Sequence, residues 1–150
     1  MALRCESSVE VAAAPEAVFP WLLDTDKVSR WQSGIQRYEP AQPGPLRVGS
    51  RIHEDLSVSG YSLALELEVV RLEPPQRAEL RFEGSGFRAA NHYTVVPVPA
   101  GARVTWAIEG DTTSFKARLI APMVQSKLQE KLDGDVRRLR DLLAGEPAAA

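Results

Sequence analysis

Three polar residues alternate with apolar residues in strand-like segments, and they are the chain's best candidates for chemistry. Glu54 lies between Ile52 and Leu56, and Asn91 and Tyr93 stand two positions apart in a later segment. Because side chains in a strand alternate between the two faces of a sheet, each of the three shares a face with apolar neighbours. A carboxyl group on such a face loses hydration, which raises its pKa. The spacing therefore predicts one acid and two hydrogen-bonding groups directed into the protein.

Each of these groups admits a functional and a structural interpretation. In the functional interpretation, Glu54 anchors a ligand hydroxyl or amine, or donates a proton. In the structural interpretation, it reaches water near a cavity mouth or pairs with an arginine. For Glu54 we favour the structural interpretation. Tyr93 would orient a ligand, or it is a core ring whose hydroxyl reaches backbone or water. Asn91 would orient a ligand, or it satisfies backbone opposite Gly110. Glu54 and Tyr93 are the candidate catalytic residues if the protein is an enzyme.

The two histidines fall on the opposite, charged face. His53 and His92 stand beside glutamates on different strands, and without further ligands this is poor spacing for a metal site. We therefore expect solvated histidines and no metal. The chain also lacks the glycine-rich loop and following helix that bind phosphate, and it lacks a nucleophile elbow. No cofactor is predicted.

Three dipeptides, Ser59-Gly60, Ser85-Gly86 and Ala100-Gly101, set the strand registers that position these side chains. Each is short enough for a two-residue hairpin turn, in which glycine supplies the positive φ. Register sorts side chains by face, since a strand has a period of two. Counting outward from the turns predicts the pairs Val58–Tyr61, Leu56–Leu63, Glu54–Leu65, Ile52–Leu67, Gly84–Phe87, Phe82–Ala89, Leu80–Asn91, Ala78–Tyr93, Pro97–Val104, Val95–Trp106, Tyr93–Ile108 and Asn91–Gly110.

The outer face should be held by opposite charges. The same registers pair His53 with Glu66 and Glu79 with His92, and they also place His92 opposite Glu109. Direct pairing across the turn at residues 73–76 would place inward-facing residues of one strand opposite outward-facing residues of the next. We therefore expect a β-bulge or a shifted register near Val70.

The order of elements predicts an α+β fold. A strand over about residues 3–12 precedes two short helices, the first shortened or kinked by Pro20. Six strands follow, and a helix capped by Thr113 or Ser114 runs to about residue 144. A seven-stranded antiparallel sheet with one apolar face needs a cover, and only this long amphipathic helix can supply it. One helix does not fill a strongly curved sheet, so we expect a ligand cavity between them.

Composition fits a single domain over residues 1–145 with a flexible tail at 146–150. The chain has 150 residues, 44% of them hydrophobic, and a net charge of −2, which gives no sign of nucleic-acid binding. No apolar run approaches a membrane span, and no signal peptide is visible. The single cysteine, Cys5, is expected to be a buried structural thiol, and the cytoplasm is the expected compartment. The oligomeric state, monomer or homodimer, stays open.

A set of apolar and polar side chains is expected to line the cavity and bind the ligand. As single residues most of them would be ordinary core, but together they lie where a flat or oily molecule would fit between sheet and helix. They are Trp31, Ile52, Glu54, Leu65, Leu67, Phe82, Asn91, Tyr93, Val95, Trp106, Ile108, Ile120, Met123 and Val124.

Six segments occur in a specific order along nearly the whole chain: residues 8–19, 24–31, 48–51, 73–75, 93–97 and 119–123. Each motif alone is weak, but together and in this order they resemble the START-like superfamily, also called SRPBCC or Bet v 1-like. Within it they are most similar to the bacterial polyketide cyclase/dehydrase and lipid transport group. The resemblance implies the helix-grip fold and a hydrophobic cavity.

Three functions follow as hypotheses. We favour binding of a small hydrophobic molecule, such as a lipid, polyketide or aromatic metabolite, without catalysis. The alternative is a cofactor-independent polyketide aromatase/cyclase or dehydratase in which Glu54 and Tyr93 move protons. Against it, the inward positions of the fourth strand are all aliphatic, and no arginine is placed in the cavity. A third possibility is a protein-interaction module, which a filled cavity would favour.

Overall fold

The computed structural model describes residues 2–145, and it has the predicted helix-grip α+β architecture. Seven antiparallel strands form one sheet in the order β1-β7-β6-β5-β4-β3-β2, with the short helices and a long C-terminal helix as the other elements. The elements are β1 (Ala2–Val11), α1 (Pro15–Val18), α2 (Pro20–Leu23), α3 (Val28–Trp31), β2 (Ile35–Pro40), β3 (Arg51–Val58), β4 (Tyr61–Glu73), β5 (Arg77–Gly84), β6 (Phe87–Val98), β7 (Gly101–Thr112) and α4 (Phe115–Gly145).

The first two hairpins have the predicted registers. Ser59 and Gly60 have φ angles of 49° and 85°, and Ser85 and Gly86 have 52° and 86°, as type I′ turns require. Glu54 consequently pairs with Leu65 across β3 and β4, and every predicted pair of the β5–β6 hairpin is present. The register shift expected near Val70 lies between Val69 and Arg71.

The register predicted for the third hairpin is wrong by two residues. Val98 pairs with Gly101, so Pro99 and Ala100 form the turn, and Asn91 faces Ile108 instead of Gly110. Gly101 is needed for a different reason: a Cβ there would lie 2.2 Å from the carbonyl oxygen of Val11. It allows a close backbone approach and does not sit in the turn itself. Because a shift of two residues keeps the face parity, the inward residues stay inward.

The same shift changes the pairs along β6 and β7. Tyr93 lies opposite Trp106, and Val95 lies opposite Val104. On the outer face His92 lies opposite Ala107, not Glu109. The predicted pairs of His53 with Glu66 and of Glu79 with His92 are present.

The helical segment after β1 is divided at proline. Pro20 begins α2 immediately after Phe19, so the first predicted helix becomes two four-residue helices, α1 and α2. Proline has no N–H to donate to the preceding turn, which explains the division. Trp31 at the end of α3 is fully buried, and its indole N–H donates to the carbonyl oxygen of Trp21 at 2.7 Å.

Helix α4 is held against the sheet along the edge strand β1. The side chain of Gln129 accepts from the Glu6 N–H at 3.1 Å and donates to the Glu6 carbonyl at 2.8 Å. Gln125 accepts from the Arg4 N–H at 2.9 Å. These bonds satisfy backbone groups that an edge strand leaves unpaired. Within residues 2–145, no helix is both long and apolar enough to cross a bilayer.

The N-terminal turn of α4 and the cysteine follow their predictions. The Ser114 hydroxyl accepts from the Ala117 N–H at 3.1 Å, so Ser114 caps the helix. Cys5 is buried against α4, and burial, with a smaller contribution from Asp133, raises the pKa of its thiol to about 11. Such a thiol is unreactive at neutral pH. The predicted tail at 146–150 lies outside the described residues.

Candidate functional site

A small cavity lies between the concave face of the sheet, α3 and α4. Its volume is about 40 Å³, which is room for a few water molecules but far below the roughly 300–1,000 Å³ of typical small-molecule sites. The walls are mostly aliphatic and aromatic, with polar groups at a few points. Its lining residues are Val28, Gln32, Tyr38, Glu54, Leu56, Leu63, Leu65, Leu67, Leu80, Phe82, Asn91, Tyr93, Trp106, Ile108, Leu128 and Lys131.

Glu54 is the least compensated polar group of this cavity. Its side chain is buried, with 7% of the residue exposed, and it lies between Tyr38 on β2 and Leu65 on β4. Within residues 2–145 its carboxyl group makes no hydrogen bond to protein. Burial raises its pKa to about 7, with Lys131 opposing the rise and Asp55 adding to it. At neutral pH the group therefore exists in both protonated and ionised forms.

Lys131 faces the same cavity from α4 but already has an anionic partner. Its Nζ lies 2.6 Å from an Asp135 carboxylate oxygen one turn along the helix, and both side chains are at least nine-tenths buried. The Nζ also donates to the Ser33 carbonyl at 2.5 Å, while the other Asp135 oxygen accepts from the Ser33 N–H at 3.1 Å. This cluster ties α4 to the segment between α3 and β2. It leaves Glu54 as a second buried acid beside a single buried ammonium.

The side chains of Tyr93 and Asn91 also line the cavity, and each can still donate a hydrogen bond. Gln32 donates to the Tyr93 hydroxyl at 3.0 Å, and Trp106 donates to the Asn91 side-chain oxygen at 2.8 Å. Since each accepts in these bonds, the Tyr93 O–H and the Asn91 NH₂ group retain protons to donate. Burial strongly raises the pKa of the Tyr93 phenol, so it remains a neutral hydrogen-bond donor.

Stacked aromatic rings form one wall. The Tyr93 and Trp106 rings stack with centroids 5.7 Å apart, and Trp31 meets Trp106 edge to face at 5.4 Å. The Lys131 ammonium lies 5.6 Å from the centre of the Trp106 ring, within the range of a cation–π contact. Because Trp106 lines the cavity, its fluorescence should respond to a molecule that enters there.

The structure gathers eight of the predicted site residues around this cavity. Of the remainder, Ile120 lies partly buried beside a surface groove, and Met123 is 51% exposed, so its predicted place in the cavity wall is wrong. Met123 projects from the solvent side of α4 because helix rotation is set by packing. Trp31, Ile52, Val95 and Val124 are buried core residues that do not line the cavity, whereas Glu54, Leu65, Leu67, Phe82, Asn91, Tyr93, Trp106 and Ile108 do.

The structure adds lining residues that the sequence pattern did not indicate. Gln32, Tyr38 and Lys131 supply much of the polarity of the cavity. Lys131 and Asp135 stand four positions apart in α4, and both are buried in the helical stripe. A charged pair within an otherwise apolar stripe was the available signal. The predicted direction of Glu54, Asn91 and Tyr93 is confirmed, whereas their roles in ligand binding stay predictions.

The histidines lie on the outer face, as expected. His53 is partly exposed, with its two ring nitrogens 2.5 Å from Glu66 and 2.9 Å from Asp55. These two carboxylates raise the pKa of the His53 imidazole. His92 lies 3.3 Å from Glu79.

Known proteins with similar sequences or structures agree with the fold described above. The family model described as polyketide cyclase / dehydrase and lipid transport matches residues 2–144. The chain belongs to this family. This membership agrees with the helix-grip architecture described above.

Similar proteins and solved structures agree with the fold but name no ligand for this chain. Uncharacterised proteins of Mycobacterium tuberculosis and Mycobacterium bovis are 32% identical over an alignment of 107 residues, and the match covers 68% of this chain and 62% of theirs. An aromatase/cyclase from a Streptomyces species shares the fold, with a TM-score of 0.81 and 12% identity over 96% of this chain and 94% of that one. A START superfamily protein from Mycobacterium smegmatis has a TM-score of 0.77 at 16% identity, over 95% and 97% of the two chains.

Proposed function

We propose that the protein binds a small hydrophobic molecule, such as a lipid, polyketide or aromatic metabolite, that carries at least one hydrogen-bonding group. The observation that supports this most is Glu54, a buried acid directed at an aliphatic cavity without a protein hydrogen bond among residues 2–145. No fully enclosed side-chain oxygen or nitrogen within residues 2–145 lacks a partner, so the Glu54 carboxyl oxygens contact the water-sized space of the cavity. A ligand hydroxyl or amine in that space would take the place of water beside the carboxyl group while its apolar part contacts leucine side chains.

Binding requires the cavity to enlarge. A volume of about 40 Å³ does not hold a molecule of this class. Leu63 lines both the cavity and a surface groove between β4 and α4, so it lies between the two. Rotation of Leu63, with adjustment of neighbouring leucines, would open the cavity at this point.

Native mass spectrometry of protein purified from cells, followed by titration with the neutral probe N-phenyl-1-naphthylamine, tests the proposal. We expect saturable binding that quenches Trp106 fluorescence, since Trp106 lines the cavity. For a co-purified ligand, Glu54→Gln should weaken binding, while Glu68→Gln on the outer face should not. Absence of both a co-purified molecule and any probe binding would refute the proposal.

A second candidate is a polyketide aromatase/cyclase or dehydratase reaction, and the pKa of Glu54 favours it. A carboxyl group with a pKa of about 7 is matched to acid–base work at neutral pH. Glu54 would remove a proton beside a carbonyl while the Tyr93 O–H donates to the carbonyl oxygen. An assay with an aromatisable polyketide analogue should then give a rate that depends on a group titrating near pH 7. Unchanged turnover in Glu54→Gln would exclude this role.

A further inference from the structure

The first half of α4 carries an exposed apolar stripe that the cavity does not use. Phe115, Leu119 and Met123 are 76%, 66% and 51% exposed. Residues four apart lie on one face of a helix, so the three side chains form a continuous row. The other large hydrophobic residues exposed within residues 2–145, Val48 and Val96, are isolated on other elements. Contiguous exposed apolar surface marks an interaction site more often than scattered residues do.

Cations flank this stripe on both sides. Residues 115–129 contain Lys116, Arg118 and Lys127 but no acid. At 3.6 residues per turn, Arg118 lies along one side of the stripe, and Lys116 and Lys127 lie along the other. Lys127 pairs with Glu130 at 3.2 Å. The Thr112 N–H is the main cause of the lowered pKa of the Asp111 carboxyl, and the positive charge of Arg118 contributes to it.

Lys116 is left with uncompensated charge. It is exposed and makes no ion pair within residues 2–145. An apolar row between basic margins is the pattern of helices that lie in the surface of anionic membranes.

The stripe lies next to a surface groove that shares one residue, Leu63, with the cavity. A groove beside it is lined by Lys116, Ala117 and Ile120 of α4 and by Tyr61 and Leu63 of the β3–β4 hairpin. Leu63 also lines the cavity. A surface bound along the stripe would therefore lie beside this groove, which Leu63 links to the cavity.

We propose that the Phe115–Leu119–Met123 face of α4 docks on the surface of an anionic lipid bilayer. The apolar row enters the boundary between headgroups and acyl chains, and Lys116, Arg118 and Lys127 contact lipid phosphates. A second copy of this chain would bring the same cations towards each other, and like charges oppose that contact. Docking stands independently of the cavity; exchange of a ligand with the bilayer through Leu63 rests on the proposed function.

Co-sedimentation with vesicles tests the docking. We expect binding to phosphatidylcholine vesicles containing phosphatidylglycerol, weaker binding at high salt, and little binding to phosphatidylcholine alone. The double variant L119S/M123S should lower the partition coefficient at least about tenfold, and Lys116→Glu should lower it on anionic vesicles only. Val48→Ser, at an isolated exposed valine, is the matched control and should bind like the parent. Circular dichroism checks that each variant is folded.

Two results would overturn the docking proposal. One is equal vesicle binding by the parent and by L119S/M123S. The other is a dimer, seen by light scattering, that dissociates in L119S/M123S while the parent does not bind vesicles. Titration with N-phenyl-1-naphthylamine in the absence of lipid should give the same affinity for the parent and for L119S/M123S. This measurement reports on the cavity alone, so a failure of membrane docking can be told apart from a failure of cavity binding.

Discussion

At the scale of single residues, the electrostatics of the interior are set by three groups. Glu54 and Asp135 are buried acids, and the charge of the buried Lys131 side chain acts on both. Asp135 has its partner at hydrogen-bond distance, whereas Glu54 is stabilised mainly by keeping its proton. The two acids therefore respond differently to pH and to substitution.

Stability should fall as pH rises through the range in which Glu54 ionises. The folded protein holds this proton up to about pH 7, whereas an unfolded chain releases it near pH 4.5. The free energy of unfolding should therefore decrease by about 3 kcal/mol between these pH values. Glu54→Gln should remove this decrease and should be more stable than the parent at pH 8. Urea unfolding at several pH values measures it, with Glu68→Gln as the exposed control; parallel pH profiles for parent and Glu54→Gln would contradict the assignment.

Removing the ammonium from the buried ion pair should be strongly destabilising. Lys131→Met leaves Asp135 charged and buried, and breaking such a pair costs about 3–5 kcal/mol. Replacing the acid as well, as in K131M/D135N, should restore a large part of the loss, because the uncharged amide oxygen of the new side chain still accepts from the Ser33 N–H. Denaturant unfolding of the parent, the two single variants and the double variant gives the coupling energy. Additive losses in the double variant would show that the two side chains act independently.

At the scale of elements, two glycines show opposite constraints. Gly134 is exposed within α4, and a Cβ there would meet no atom within 4 Å. Gly86 has a φ of 86°, and a Cβ there would lie 2.4 Å from the Ser114 hydroxyl oxygen. The chain therefore needs glycine in the β5–β6 turn but not in the helix.

Alanine at these two positions should change stability in opposite directions. Gly134→Ala should raise the free energy of unfolding by about 1 kcal/mol, since glycine costs this much in a helix interior. Gly86→Ala should lower it by roughly 1–3 kcal/mol because of backbone strain and the contact with Ser114. Thermal unfolding of the two variants checks both signs. A stabilising Gly86→Ala would mean that the type I′ turn is not required.

At the scale of the whole molecule, the proposed ligand binding has to be reconciled with an almost filled interior. The sheet curves around α4, and aliphatic side chains fill most of the space between them. A filled interior is also what we expect of a protein-interaction module. The ligand-binding and interaction-module hypotheses differ in what they predict when the interior is made larger.

Leu67→Ala should separate these explanations. The residue is buried on the cavity wall, and its truncation should cost about 2–5 kcal/mol of stability. If the cavity is a binding site limited by volume, the same variant should bind N-phenyl-1-naphthylamine more tightly than the parent. Val95→Ala, buried away from the cavity, is the control for destabilisation alone. Loss of stability without any gain in probe binding would favour an interaction module.

Which side chains face inward could be predicted from the sequence alone. Two type I′ turns and the two-residue period of a strand place Glu54, Asn91 and Tyr93 on the apolar face, and even the two-residue error at Gly101 left that face unchanged. The order of elements likewise determined the helix-grip fold, because only α4 could cover the sheet.

Which polar groups come into contact follows from tertiary packing and could not be predicted from the sequence. The rotation of α4 depends on packing over its whole length, and it brings Lys131 to the cavity while turning Met123 to solvent. Gln32 reaches Tyr93 from a segment far away in the chain. The volume left between the walls depends on how many side chains interdigitate at once, and that number is not encoded by any local pattern.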